Sequence, residues 1–140
     1  MYPGANSYSR TVLCLHVPSV GVMASTSAVN LMLSKTLGFA CELERIEAVT
    51  RVVATTAGSR VINVRRGIAT GTVVGTITLA IATQGTLGVV NAGTLTAGPP
   101  GTTAFNDTDT LTIESPTSTA FTLGGVDLLL TFRDKCQAPV

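Results

Sequence analysis

The chain has 140 residues, of which 12% are charged and 4% aromatic, and its net charge is +1. That length suits one ordinary domain with a real core. The absence of a basic excess and the scarcity of aromatics argue against nucleic-acid binding, and the plentiful Val, Leu and Ile argue against disorder.

Residues 1–9, MYPGANSYS, read as an arm without a core of its own. Both tyrosines, Tyr2 and Tyr8, lie in it and can anchor it on a neighbour; a frayed terminus is the plainer reading. The arm has no apolar run of the signal-peptide kind. The expected layout is an arm over 1–10, one β-sandwich domain over 11–135 and a tail over 136–140.

Residues 11–17 alternate, with Leu13, Leu15 and Val17 on one face and Val12, Cys14 and His16 on the other, and Pro18 ends this first strand. Residues 19–34 fit either a helical turn or a second strand with a loop. Residues 39–56 contain helix-spaced Glu44, Glu47 and Arg51, but β-branched residues accumulate toward their end. The expectation is a long strand with its charges on the exposed face. Ala57-Gly58 signals a hairpin into the next strand, where Ile62 and Val64 face inward.

Residues 60–83, RVINVRRGIATGTVVGTITLAIAT, form the longest apolar, β-branched passage. Gly67, Gly71 and Gly75 are spaced like the small residues of paired membrane helices. Yet the uncharged run is short of the roughly 20 residues that cross a bilayer. Its Thr and Val content suits a pleated surface. A loop over 67–71 and a strand over 72–83 follow, with Val73, Gly75, Ile77 and Leu79 on one face and Thr72, Val74, Thr76 and Thr78 on the other.

Residues 86–90 are short and apolar, and 91–103 are a Gly- and Pro-rich loop around Gly98-Pro99-Pro100-Gly101. Phe105 packs, Asn106 and Asp107 turn, and Leu111 and Ile113 alternate in a strand that Pro116 breaks. Residues 121–123 and 126–132 close the domain, with Val126, Leu128, Leu130 and Phe132 as a buried face. Short strands parted by turns, with no strong helix, predict an all-β protein: a single jelly-roll-like β-sandwich with an extended N-terminal arm. A Thr-, Val-, Gly- and Ala-rich chain with so few charges also suits a domain that hides surface in an assembly.

Chemical motifs are sparse. Cys14, Cys41 and Cys136 make an odd set without CxxC spacing, as expected of reduced, partly buried thiols made in a cytoplasm rather than a disulfide frame or zinc site. Cys14 and His16 share a strand face, which a thiol–imidazole nucleophile or metal pair would need, but His16 is the single histidine and ordinary packing explains it. Asn106, Asp107 and Asp109 resemble calcium ligands but lack the glycine and distant glutamate of a calcium loop; Asx residues at a turn before a strand are the commoner explanation. Arg60, Arg65 and Arg66 are the densest basic group, placed to meet a partner's carboxylates or to be solvated at strand ends. No phosphate loop, nucleophile elbow, HExxH or glycosidase carboxylate pair is present, so no enzyme activity and no cofactor are expected.

The order of parts from Gly38 to Arg133, with RVINVRRG, GTVVGTITL, FNDTDTLTIES and GGVDLLLTF in succession, resembles the small jelly-roll or β-sandwich decoration (cement) proteins of tailed-bacteriophage heads. The resemblance implies a structural virion protein on the outer surface of an icosahedral capsid. It would bridge capsomers of a major capsid protein, as a homotrimer, without nucleic acid or membrane. Tyr2, Tyr8 and Arg10, with Arg60, Arg65 and Arg66, are then the expected partner-binding residues. A receptor- or carbohydrate-binding module of a fibre or adhesin shares the fold, although sugar sites favour exposed aromatic platforms and the chain has no Trp.

Overall fold

The computed structural model describes residues 9–17, 30–54, 59–68, 71–80, 86–115 and 125–135. Ten strands follow one another: β1 (Arg10–Val17), β2 (Asn30–Thr36), β3 (Cys41–Val52), β4 (Ser59–Arg66), β5 (Thr72–Ala80), β6 (Val90–Ala92), β7 (Thr94–Leu95), β8 (Ala104–Phe105), β9 (Thr110–Ser115) and β10 (Gly125–Asp134). The passage that allowed a membrane helix is the antiparallel pair β4–β5, and no helix among the described residues is long and apolar enough to cross a membrane.

The strands form two antiparallel sheets. The first runs β1-β10-β3-β6, with β8 also on β3; the second runs β2-β9-β4-β5-β7. Strands consecutive in the chain mostly belong to opposite sheets, which is the jelly-roll arrangement. This corrects the hairpin expected at Ala57-Gly58: β3 and β4 lie in different sheets, and residues 55–58 themselves fall outside the described set.

Alternation builds the core. From the first sheet, Leu43, Ile46 and Ala48 of β3 and Val126, Leu128, Leu130 and Phe132 of β10 point inward; Ile62 and Val64 of β4, Ile77 and Leu79 of β5, and Leu111 and Ile113 of β9 meet them from the second. Phe105 of β8 meets Phe132 edge to face, with ring centroids 5.9 Å apart. In β5 the expected faces hold from Gly75 onward and change before it. Gly75 pairs with Val64 but Val73 pairs with Arg65, so Val74 is an extra, bulged residue and is buried. A bulge resets the two-residue period, which periodicity alone does not reveal.

The loop expected over 91–103 contains two short strands. β6 pairs with β3 in the first sheet and β7 with β5 in the second, with Gly93 between them. The Gly93 amide donates to the Ile46 carbonyl at 2.8 Å, and the Thr96 amide to that of Val74 at 2.9 Å. A Cβ at Gly93 would lie 2.7 Å from the Thr76 carbonyl oxygen and 2.9 Å from Ile46 Cβ, so the crossing needs glycine. One continuous segment therefore seals this side of the sandwich.

Candidate functional site

The charged side chains concentrate on the outer face of the first sheet. Its strands are neighbours in the order β1-β10-β3, so outward residues align in rows: Arg10 with Arg133 and Glu42, Cys14 with Leu129 and Glu47, and His16 with Asp127 and Val49. β3 carries a bulge at Glu44, which keeps both Glu44 and Arg45 off the core. The sequence reading of charges on the exposed face of this strand is thus met, and the helix-like spacing of Glu44, Glu47 and Arg51 is incidental.

Two clusters result. At one end, Arg10 Nε donates to Glu44 Oε2 at 2.8 Å and Arg133 Nη2 to Glu42 Oε2 at 2.6 Å, with Lys135 Nζ 3.7 Å from Glu42. The bond from Arg133 holds the Glu42 carboxyl below the usual carboxylate range, aided by the charges of Lys135 and Arg133 against partial desolvation. A shallow cleft of about 490 Å³ opens here, lined among others by Arg10, Glu42, Glu44, Arg45, Thr103 and Arg133. At the other end, His16 Nδ1 lies 2.9 Å from Asp127 Oδ1 and Arg51 Nε 3.3 Å from Asp127 Oδ2. Arg10, Arg45 and Arg51 keep 58%, 66% and 61% of their side chains exposed. Exposed pairs of this kind add little to stability but exchange readily with a partner's charges.

The outer face of the second sheet is different. Thr76 and Thr78 of β5 and Asn63 of β4 line it, and its ion pair is Arg65–Glu114, with the Glu114 side chain almost fully covered. Arg65 also donates to the Gly71 carbonyl at 2.8 Å, and Thr112 Oγ1 to that of Gly67 at 2.6 Å. These bonds fasten the two ends of the β4–β5 connection.

The basic group expected at a surface is therefore divided. Arg60 and Arg66 share the inward side of β4, and Arg65 lies on its outer side. Arg60 is fully buried, donates from Nη1 to Ser115 Oγ at 2.8 Å, and has its pKa lowered by that burial. Arg66 Nη1 donates to the Ala104 carbonyl at 2.6 Å and so spans from one sheet to the other. Alternation along a strand, not nearness in sequence, decides which arginines meet. Arg10 opens β1 and remains exposed, whereas Tyr2 and Tyr8 lie outside the described residues.

Cys14 and His16 share a strand face, as their alternation predicts; that face is the outer one, so Cys14 is exposed where a partly buried thiol is expected, and the partner of His16 is Asp127 on β10. Cys41 is buried, and desolvation followed by the charge of Asp134 pushes its thiol to about 11. Asn106 and Asp109 close a turn through two bonds, the Asp109 amide donating to the Asn106 carbonyl at 3.1 Å and the Asn106 amide to Asp109 Oδ2 at 2.7 Å. Among the described residues, no group of three or more His, Cys, Asp or Glu is placed to hold a metal ion.

Sequence alone does not single out Arg45, Arg133, Glu42 and Asp127, and it marks Arg51 only as one charge of a strand face. Their signal was present, since each occupies an outward position of an alternating strand, but the adjacency of β1, β10 and β3 that assembles them is not local. Comparison with protein-family models, curated proteins and solved structures finds no match to this chain.

Proposed function

We propose that this chain is a structural virion protein that docks on the outer surface of an icosahedral phage head and bridges its capsomers, with the major capsid protein as partner. The observation that carries the reading is the jelly-roll strand order, with the orders β1-β10-β3-β6 and β2-β9-β4-β5 in its two sheets. Viral capsid proteins and lectins both use that architecture, so the support is analogy at the level of fold. Two physical features agree with it. The sandwich is sealed along one side at Gly93, and a rigid body loses little entropy on docking. Residues 1–9 and 18–34 contain no charge, so these segments carry no charged side chain to desolvate at a shell surface. Many weak, symmetry-related contacts then add through multivalency.

The lectin use of the fold is the rival, and the described aromatics do not favour it: Phe105 and Phe132 are buried and Phe39 is half-buried. The test is co-sedimentation with empty heads of candidate phages, using the full chain and a variant lacking residues 1–9. Saturable occupancy that falls on deletion is expected. Binding to a glycan array with no binding to any head would replace the shell reading by the carbohydrate one.

A further inference from the structure

A sandwich has four sheet edges, and this one treats them unequally. Edges β6 and β7 are consecutive parts of one segment that seals its side. Edge β2 is irregular, with a register shift between Leu31 and Leu33, and it carries an exposed lysine, Lys35, in register with Leu111. Bulges and lysines on an edge strand are usual devices that stop it from pairing with another chain. Edge β1 has neither. Its eight residues pair with β10 in unbroken register, it contains no proline or lysine, and its arginine is the first residue. Among the described residues nothing pairs with its other side. Its core-facing Leu13 and Leu15 are only half-buried, and Val12 is 57% exposed.

We propose that β1 is a contact between two copies of this chain, in which it pairs antiparallel with the same strand of its neighbour about a two-fold axis at Cys14. The side chains select that register. With Cys14 opposite Cys14, Val12 faces His16 on the outer side, and Leu13 faces Leu15 on the inner side, where each completes the other's partial burial. Arg10 then falls beyond the paired stretch. Moving the axis to Leu13 would instead set Arg10 opposite His16, keep one leucine pair in place of two and set each Leu15 opposite Thr11. A contact of this kind is self-complementary and closes at two copies. It joins the two first sheets into one and sets their charged outer faces side by side.

The pairing does not rest on the shell reading, because it is read from native mass and a cross-link, and the shell reading from occupancy on heads. Light scattering of the reduced full chain is expected to give twice the 14.3 kDa chain mass. Opposed residues in an antiparallel pair have Cα atoms about 4.5–5.5 Å apart, within disulfide range. A Cys136→Ser variant treated with a mild oxidant is therefore expected to give a dimer linked through Cys14 on a non-reducing gel. Cys14→Ser should dimerise without the link. Val12→Lys, at an exposed position, should remain folded by circular dichroism and run as a monomer. A monomeric or trimeric wild-type chain, a dimer that survives Val12→Lys, or a dimer without the Cys14 link overturns the pairing.

Discussion

Arg65 and Glu114 show how a single contact on a β-sheet acquires weight. The carboxylate is nearly covered, so removing its cation strands a charge away from water. Arg65→Ala is expected to destabilise the fold by about 3 kcal/mol, and Arg65→Ala with Glu114→Ala by less than the sum of the two single changes. Urea titrations of the three variants measure both. Glu42 acts in the more exposed cluster. Its folded pKa lies below the ordinary 4.5 because Arg133 donates to it, so its contribution is present above that value and disappears as pH falls through the folded pKa. Glu42→Gln should cost about 1 kcal/mol at neutral pH and nothing in strong acid, in paired denaturation curves across pH. Cys41 runs the other way. The folded state holds its proton to about 11 against an ordinary 9.0, so stability falls as pH rises between those values. Native alkylation at neutral pH should modify exposed Cys14 and spare Cys41 until denaturant is added. Mass spectrometry of the labelled peptides reads this directly.

At the scale of elements, the crossing at Gly93 holds the two sheets together on one side. Ala at this position would press on a backbone carbonyl and on Ile46, neither of which is a free side-chain end. Gly93→Ala is expected to cost about 1–3 kcal/mol and to speed hydrogen exchange along β6 and β7 more than along β10. Uniform acceleration across both sheets would mean that the crossing is not a local seal. The strands themselves were largely legible from sequence. The faces of β1, β9 and β10 follow from alternation because each is regular over the passage concerned. The phase of β5 before Gly75 did not follow, because Val74 is bulged. The short strands β6 and β7 are not legible as strands, since three and two residues beside glycine carry no periodic signal.

At the scale of the molecule, the topology is dominated by distant pairings. β1 lies against β10, with Arg10 opposite Arg133, and the core cluster draws on both sheets. Cooperative unfolding is expected, with circular dichroism and hydrogen exchange of both sheets giving the same midpoint. Refolding should be slow for a chain of this size, on the millisecond-to-second scale or longer, because loop closure precedes most of the stabilising contacts. Stopped-flow refolding from urea tests this, and a microsecond main phase would contradict it. The candidate interaction face belongs to this scale too. Its residues come from three strands that are neighbours only in the folded molecule.

The sequence by itself determined the all-β class, most of the strands and the inward faces of the regular ones, because burial on a pleated surface writes a two-residue period into the chain. It also placed Cys14 and His16 on one shared face of a strand. Only the tertiary structure decided which strands are neighbours, that β3 and β4 part into different sheets, and that Arg60, Arg65 and Arg66 do not form one patch. It alone assembled Arg10, Glu42, Glu44 and Arg133 into a cluster, and it alone left β1, among the described residues, as a regular edge. The reason is physical: alternation is a local property of the backbone, whereas strand adjacency is settled by packing two sheets around one core.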